Sequence, residues 1–189
     1  MWVLLVCSML GSYIVFYKLF YFIFQNISYT KVRSDVQRII KNNQPDVAIA
    51  QLQGRNNVLK NAAAEAIKSV HLSRDNLHDS LRTYLLEHVS KLERHMPILS
   101  SLITITPILG LMGTVLGLMH IFQVISGGGI GNTEALSLGI AEALITTVAG
   151  LAIAVPLIVM NHYLQHRIEA LALQIERIFL DTVHFCKQI

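Results

Sequence analysis

Charge is scarce in this sequence. Asp, Glu, Lys and Arg make up 14% of its 189 residues, against about 25% in soluble domains, which argues against a chain that is mostly water-facing. Cysteine is limited to Cys7 and Cys186, too few for a disulfide scaffold. There is no internal repeat and no low-complexity tract. The catalytic signatures HExxH, GxSxG, the P-loop and a phosphate-cradling GxGxxG are all missing, so no enzyme chemistry is indicated. Gly127–Gly131 (GGGIG) follows no strand and reads as a flexible turn. No basic surface with interleaved aromatics suggests nucleic acid, and the net charge of +3, with basic residues beside apolar runs, fits contact with anionic lipid.

What the sequence does have is apolar length. Hydrophobic residues make up 53% of it, and three stretches reach the roughly 20 residues needed to cross a bilayer. The first is Trp2 to Phe24, interrupted only by Lys18, whose stem can snorkel to the headgroups. No basic residue precedes this run and it exceeds the apolar core of a cleaved leader, so it is expected to stay as an anchor. The second and third are Leu102 to Ile125 and Leu136 to Met160. The expected organisation is therefore all-α. A first span lies within 1–25 and faces lipid, followed by a helical region over 26–101. The second span covers 102–125, a short loop 126–136, the third span 137–160, and a helical tail 161–189.

Eleven Lys or Arg against seven acids lie between Lys31 and Arg94, and the loop Ser126–Ala135 has no basic residue. The positive-inside rule puts 26–101 and the C-terminal tail in the cytoplasm and the N-terminus and the loop outside. Cys7 and Cys186 then fall on opposite sides of the membrane, where they cannot pair. Leu81, Leu85, Val89, Leu92, Met96 and Leu99 recur at helical spacing. They predict one helix from near Asp75 to Ile125, bent at Pro97 and Pro107. Ile168, Leu171, Ile175, Ile178 and Phe185 predict a similar extension of the third span. Two shorter amphipathic helices are expected at Ser34–Asn42, with Ser34 as N-cap, and at Pro45–Gln53, packed against the long ones.

Inside the spans, Thr106, Gly110, Gly113 and Gly117 share a narrow arc of the second helix, and Gly139, Ala143, Thr146 and Gly150 share one on the third. Small residues let helices in lipid approach closely, and packing is the plainest role for these stripes. One carboxylate, Glu142, lies in the third span about 60° from Gly139, with Thr146 close to its line and Thr147 about 100° further round. An ionisable group at the bilayer centre costs on the order of 3 kcal/mol, so it is expected to face a partner or a water-filled path. A lone copy would leave it facing lipid, which argues for an oligomer. His162 and His166 are one turn apart but lack the further ligands a metal site requires. His120, towards the outer end of the second span, is best read as facing headgroups.

Pro107–Gly117 (PILGLMGTVLG) and Glu142–Pro156 (EALITTVAGLAIAVP) resemble the paired motifs of the ExbB/TolQ/MotA proton-channel family, P-L-L-G-L-x-G-T-V-x-G and E-A-L-x-x-T-x-x-G-L-x-x-A-x-P. The resemblance is strongest to ExbB, with TolQ next; the four spans and larger insertion of the flagellar members are absent. It implies a ring-like homo-oligomer, a pentamer in the ExbB and TolQ branch, around a dimer of a single-span ExbD/TolR-like partner. In this arrangement proton flow drives a TonB- or TolA-like transducer in the Gram-negative inner membrane. Carried over by motif position, Glu142, Thr147 and Thr114 line the inner cavity, and Thr146 is grouped with them through its position near the Glu142 line. No cofactor is implied. The chain departs from the pattern in opening directly on the first span, in His120, and in Met160-Asn161 where Tyr-Asn is common. A non-conducting scaffold, with Glu142 merely paired to a neighbour's polar group, is the competing reading.

Overall fold

The computed structural model describes residues 2–24, 29–42, 45–53, 57–70, 74–126 and 133–188. Seven helices and no strand occur among the described residues: α1 (Trp2–Phe24), α2 (Tyr29–Asn42), α3 (Pro45–Leu52), α4 (Val58–Ser69), α5 (Arg74–Glu93), α6 (Met96–Ser126) and α7 (Thr133–Gln188). Three apolar stretches are long enough to cross a membrane, Trp2–Ile23, Met96–Gln123 and one within Leu136–Lys187. The glycine-rich turn expected at 127–131 lies outside the described residues.

The chain divides into two compact units. One comprises Met1–Leu19 and His95–Leu164, the other Phe20–Arg94 and Gln165–Ile189. In the first, α6 and α7 run antiparallel. Positions advancing along α6 from Thr106 through Gly117 to Ile121 meet positions receding along α7 from Gly150 through Ala143 to Gly139. Helix α1 joins them through Gly11, which rests against the Leu157 side chain. Leu4, Cys7, Ile14 and Val15 are buried on the same face, while Trp2, Met9, Tyr13 and Phe16 point outward. Lys18 is also buried, at 4% exposure. Its side chain turns into the protein instead of out to the headgroups, which corrects the snorkelling expected from sequence.

The second unit has a core of its own. Val32 and Val36 of α2, Ala48 and Leu52 of α3, Leu59 and Ala62–Ala64 of α4, Tyr84 of α5 and Ile175 and Ile178 of α7 form one buried cluster. Phe179 and Val183 close a second with Ala66, Leu77 and Leu81. The two short helices therefore pack on the longer ones. Tyr84 is tied in by its phenol, which donates to the Val58 carbonyl at 2.9 Å. Burial, reinforced by the Glu65 and Glu87 carboxylates, pushes that phenol far above its usual range and keeps it a neutral donor. Helix α4 has no counterpart in the sequence reading. Asn57 caps it, its Oδ1 accepting from the amides of Leu59 and Lys60. Asn57→Ala should cost about 1 kcal/mol, read as an earlier unfolding transition by circular dichroism.

Two expectations are overturned. The helix predicted from Asp75 to Ile125 is broken at Arg94–His95. Pro97 has no N–H for the Glu93 carbonyl and its ring crowds the preceding turn. The helix therefore ends at Glu93, and α6 opens with the Leu99 amide donating to His95 at 3.2 Å. The second span's helix does not continue upstream as expected. Pro107 and Pro156 stay inside α6 and α7. Ser34 is no N-cap either: α2 begins at Tyr29, and the Ser34 hydroxyl donates back to the Lys31 carbonyl at 2.9 Å. Helix α7 remains continuous over 56 residues, about 84 Å at 1.5 Å per residue, far more than the roughly 30 Å hydrocarbon layer.

Candidate functional site

The small residues of α6 and α7 make a backbone-close seam. A methyl group built on Gly150 would lie 2.9 Å from the Thr106 carbonyl oxygen and 3.1 Å from the Gly110 Cα. One built on Gly110 would lie 3.0 Å from the Thr146 carbonyl oxygen. Gly113 faces the Thr146 side chain, Gly117 faces Ala143, and Gly139 faces Ile121. Only residues without a Cβ allow helices to come this near, and in lipid such contact supplies the packing energy that water would otherwise drive. Thr106 lies within the seam with no exposed surface, its hydroxyl bonded to the Leu102 carbonyl at 2.6 Å.

Two hydroxyls cross the seam to one oxygen. Thr147 Oγ1 donates to the Gly110 carbonyl at 3.1 Å. Thr146 Oγ1 lies 3.3 Å from the same oxygen and 2.7 Å from the Ala143 carbonyl of its own helix. Thr146 and Thr147 are thus brought together with Gly110 and Gly113. Thr114 is not part of this group; its hydroxyl donates to the Leu111 carbonyl at 2.7 Å.

Glu142 lies on the flank of α7 opposite Thr147, five residues or about 140° away. It is exposed in a single copy and makes no hydrogen bond or ion pair among the described residues. Leu138 and Ile145, about one turn to either side, are 64% and 56% exposed. An acid set in an outward apolar surface cannot be comfortable in lipid. The chain holds Thr146 and Thr147 by its own seam, while Glu142 has no bonded partner among the described residues and Thr114 bonds its own helix.

His120, His162 and His166 are exposed. No group of three His, Cys, Asp or Glu is placed to hold a metal among the described residues. Cys7 and Cys186 are free thiols. A polar cavity of about 620 Å³ lies in the second unit, lined by Gln53, Asn61, Glu65, Thr83, Tyr84 and Glu87 among others. It shares no residue with the predicted set, and Lys68 and Lys91 bond its two carboxylates. Sequence reasoning missed the buried Asn161, whose Oδ1 has no hydrogen-bond partner. It also missed Gly11, although the lone glycine of the first span, flanked by Ser8 and Ser12, is a signal of close helix approach.

A family model described as the MotA/TolQ/ExbB proton channel family matches residues 50–177, more than half of the chain. A protein named as a putative biopolymer transport protein ExbB homolog, from Methanothermobacter thermautotrophicus, is 30% identical over 122 residues, 65% of this chain and 43% of that one. The Tol-Pal system protein TolQ of Haemophilus influenzae is 37% identical over 83 residues, 44% of this chain and 36% of TolQ. The biopolymer transport protein ExbB of Aquifex aeolicus is 33% identical over 88 residues, 47% of this chain and 60% of that protein. The matched stretch spans less than two thirds of each of these relatives.

Proposed function

The chain belongs to the MotA/TolQ/ExbB proton channel family, and on that premise we propose that it is the channel-forming subunit of an inner-membrane proton-driven motor of the ExbB–ExbD type, energising TonB-dependent transport across the outer membrane. The observation that carries this reading is the placement of Glu142. It is a carboxylate at the family's motif position, in an outward apolar surface beside a self-sealed seam. Copies arranged in a ring, taken here as a pentamer, enclose that surface. A single-span ExbD/TolR-like dimer stands inside, and Glu142, Thr147 and Thr114 border the space between them, with Thr146 beside Thr147 in the seam. Glu142 takes up and releases the proton; the Thr147 and Thr114 hydroxyls, each able to donate and accept, hold waters in line. In this arrangement 26–101 and 161–189 are cytoplasmic, and the N-terminus and 126–136 are periplasmic, as the basic residues dictate.

A second reading, service to envelope integrity with a TolA-like transducer, is favoured by the 37% identity to a TolQ. Complementation separates the two: the ExbB-type reading expects the gene to restore TonB-dependent uptake to a strain lacking ExbB and not detergent resistance to one lacking TolQ. The motor itself is tested in liposomes holding this chain and a single-span partner. Potential-driven proton uptake is expected with both and not with either alone; absence of uptake from the assembled pair would refute it.

A further inference from the structure

We infer that Thr146 is a positioning residue for Thr147, the standby donor that holds the Gly110 carbonyl whenever Thr147 turns into the proton path. A hydroxyl has one hydrogen to give. At 2.7 Å from the Ala143 oxygen and 3.3 Å from the Gly110 oxygen, Thr146 gives its hydrogen to Ala143. Thr147 gives its own to Gly110 at 3.1 Å, a long bond for O–H···O and one easily released. When Thr147 leaves to bond a water, the seam loses the hydroxyl that bridges α6 and α7 at Gly110. Thr146 replaces it by turning its hydrogen about the Cβ–Oγ bond, without changing side-chain rotamer, and gives up one carbonyl for another. One hydrogen bond is exchanged for one, so the departure of Thr147 leaves the number of bonds in the seam unchanged. The side chain is fixed for this task because its Oγ1, Cβ and Cγ2 all lie against the Cβ-less face of Gly113.

This rests on the reading that Thr147 borders the proton path, and the experiment separates the two. Proton uptake is measured in liposomes with the full complex carrying Thr146→Val, Thr146→Ser, Thr147→Val, the Thr146→Val/Thr147→Val pair, or Glu142→Gln, and the thermal stability of each sample is recorded. Thr146→Val should slow uptake about tenfold, the worth of one hydrogen bond. Thr146→Ser should restore it, and the double variant should be no slower than Thr147→Val alone, because a standby has no task once its principal is gone. Wild-type uptake in Thr146→Val overturns the inference. So does a double variant slowed by the product of the two single effects, or a Thr146→Ser that stays slow with a lowered melting point, which marks a packing role. Absence of uptake by the unsubstituted complex removes the motor reading and this inference with it. Silent Glu142→Gln with normal Thr146→Val removes this inference alone.

Discussion

Glu142→Gln is expected to reduce potential-driven proton uptake by the assembled complex to background, a loss of at least about 100-fold, the scale on which a positioned proton-transfer group acts. The amide keeps the size of the carboxyl group and can hydrogen-bond, but it cannot take up and release a proton. Glu142→Asp, which keeps the chemistry on a shorter stem, should retain part of the flux. Assembly should survive both changes, because Glu142 has no hydrogen bond or ion pair within the copy to lose among the described residues. Replacing an ionisable group on the apolar surface of a single copy lowers the cost of keeping that copy in the membrane, so the glutamine variant should be at least as stable in detergent. A glutamine variant that conducts normally would take Glu142 out of the proton path.

Gly150→Ala and Gly110→Ala should each destabilise the membrane unit by about 1–3 kcal/mol, measured by titration with a denaturing detergent. The added carbon at Gly150 would meet the Thr106 carbonyl and the Gly110 Cα, and at Gly110 the Thr146 carbonyl. These are backbone atoms, held by two helices' hydrogen bonds, and they cannot step aside. The helices would have to separate, which also stretches the bond from Thr147 to Gly110. Gly11→Ala makes an internal control. Its new carbon meets the terminal methyls of the Leu157 side chain, which can rotate away, so the loss should stay under about 1 kcal/mol. Equal losses at all three positions would mean that the seam is not held by backbone contact.

Much of this architecture can be read from residue spacing because lipid imposes simple constraints. Each span must satisfy its own backbone and therefore be helical. The arcs of Thr106, Gly110, Gly113 and Gly117 and of Gly139, Ala143, Thr146 and Gly150 follow from the helical period, and in the structure they lie against one another. Local rules in competition were harder to rank. The apolar stripe from Leu81 to Leu99 argues for one helix while Pro97 argues against it, and the proline's missing donor wins. Ser34 has the chemistry of a cap, yet apolar Val32 and Val36 fall within the same core face, and helix α2 runs through it. Helix α4 escaped notice because it is short and its buried face is mostly alanine, Ala62, Ala63, Ala64 and Ala66, which makes no stripe of large apolar side chains. Lys18 and Asn161 were illegible for another reason: whether a polar side chain in a span turns in or out depends on neighbours that spacing does not specify. For Glu142 and Thr114 the same is true between chains, since a single copy leaves their face open.

The proposed function requires assembly to place Glu142 beside water and away from acyl chains. The direct measurement is electron paramagnetic resonance on the complex, with Cys7 and Cys186 replaced and a spin label on Glu142→Cys. Relaxation by a water-soluble nickel chelate is compared with relaxation by oxygen, which concentrates in lipid. A label on Met9→Cys, further into the span on the outward face of α1, supplies the lipid-side reference. Strong relaxation by the chelate at position 142 and weak relaxation by oxygen are expected, the reverse of position 9. Oxygen-dominated relaxation at both positions would contradict the proposed function.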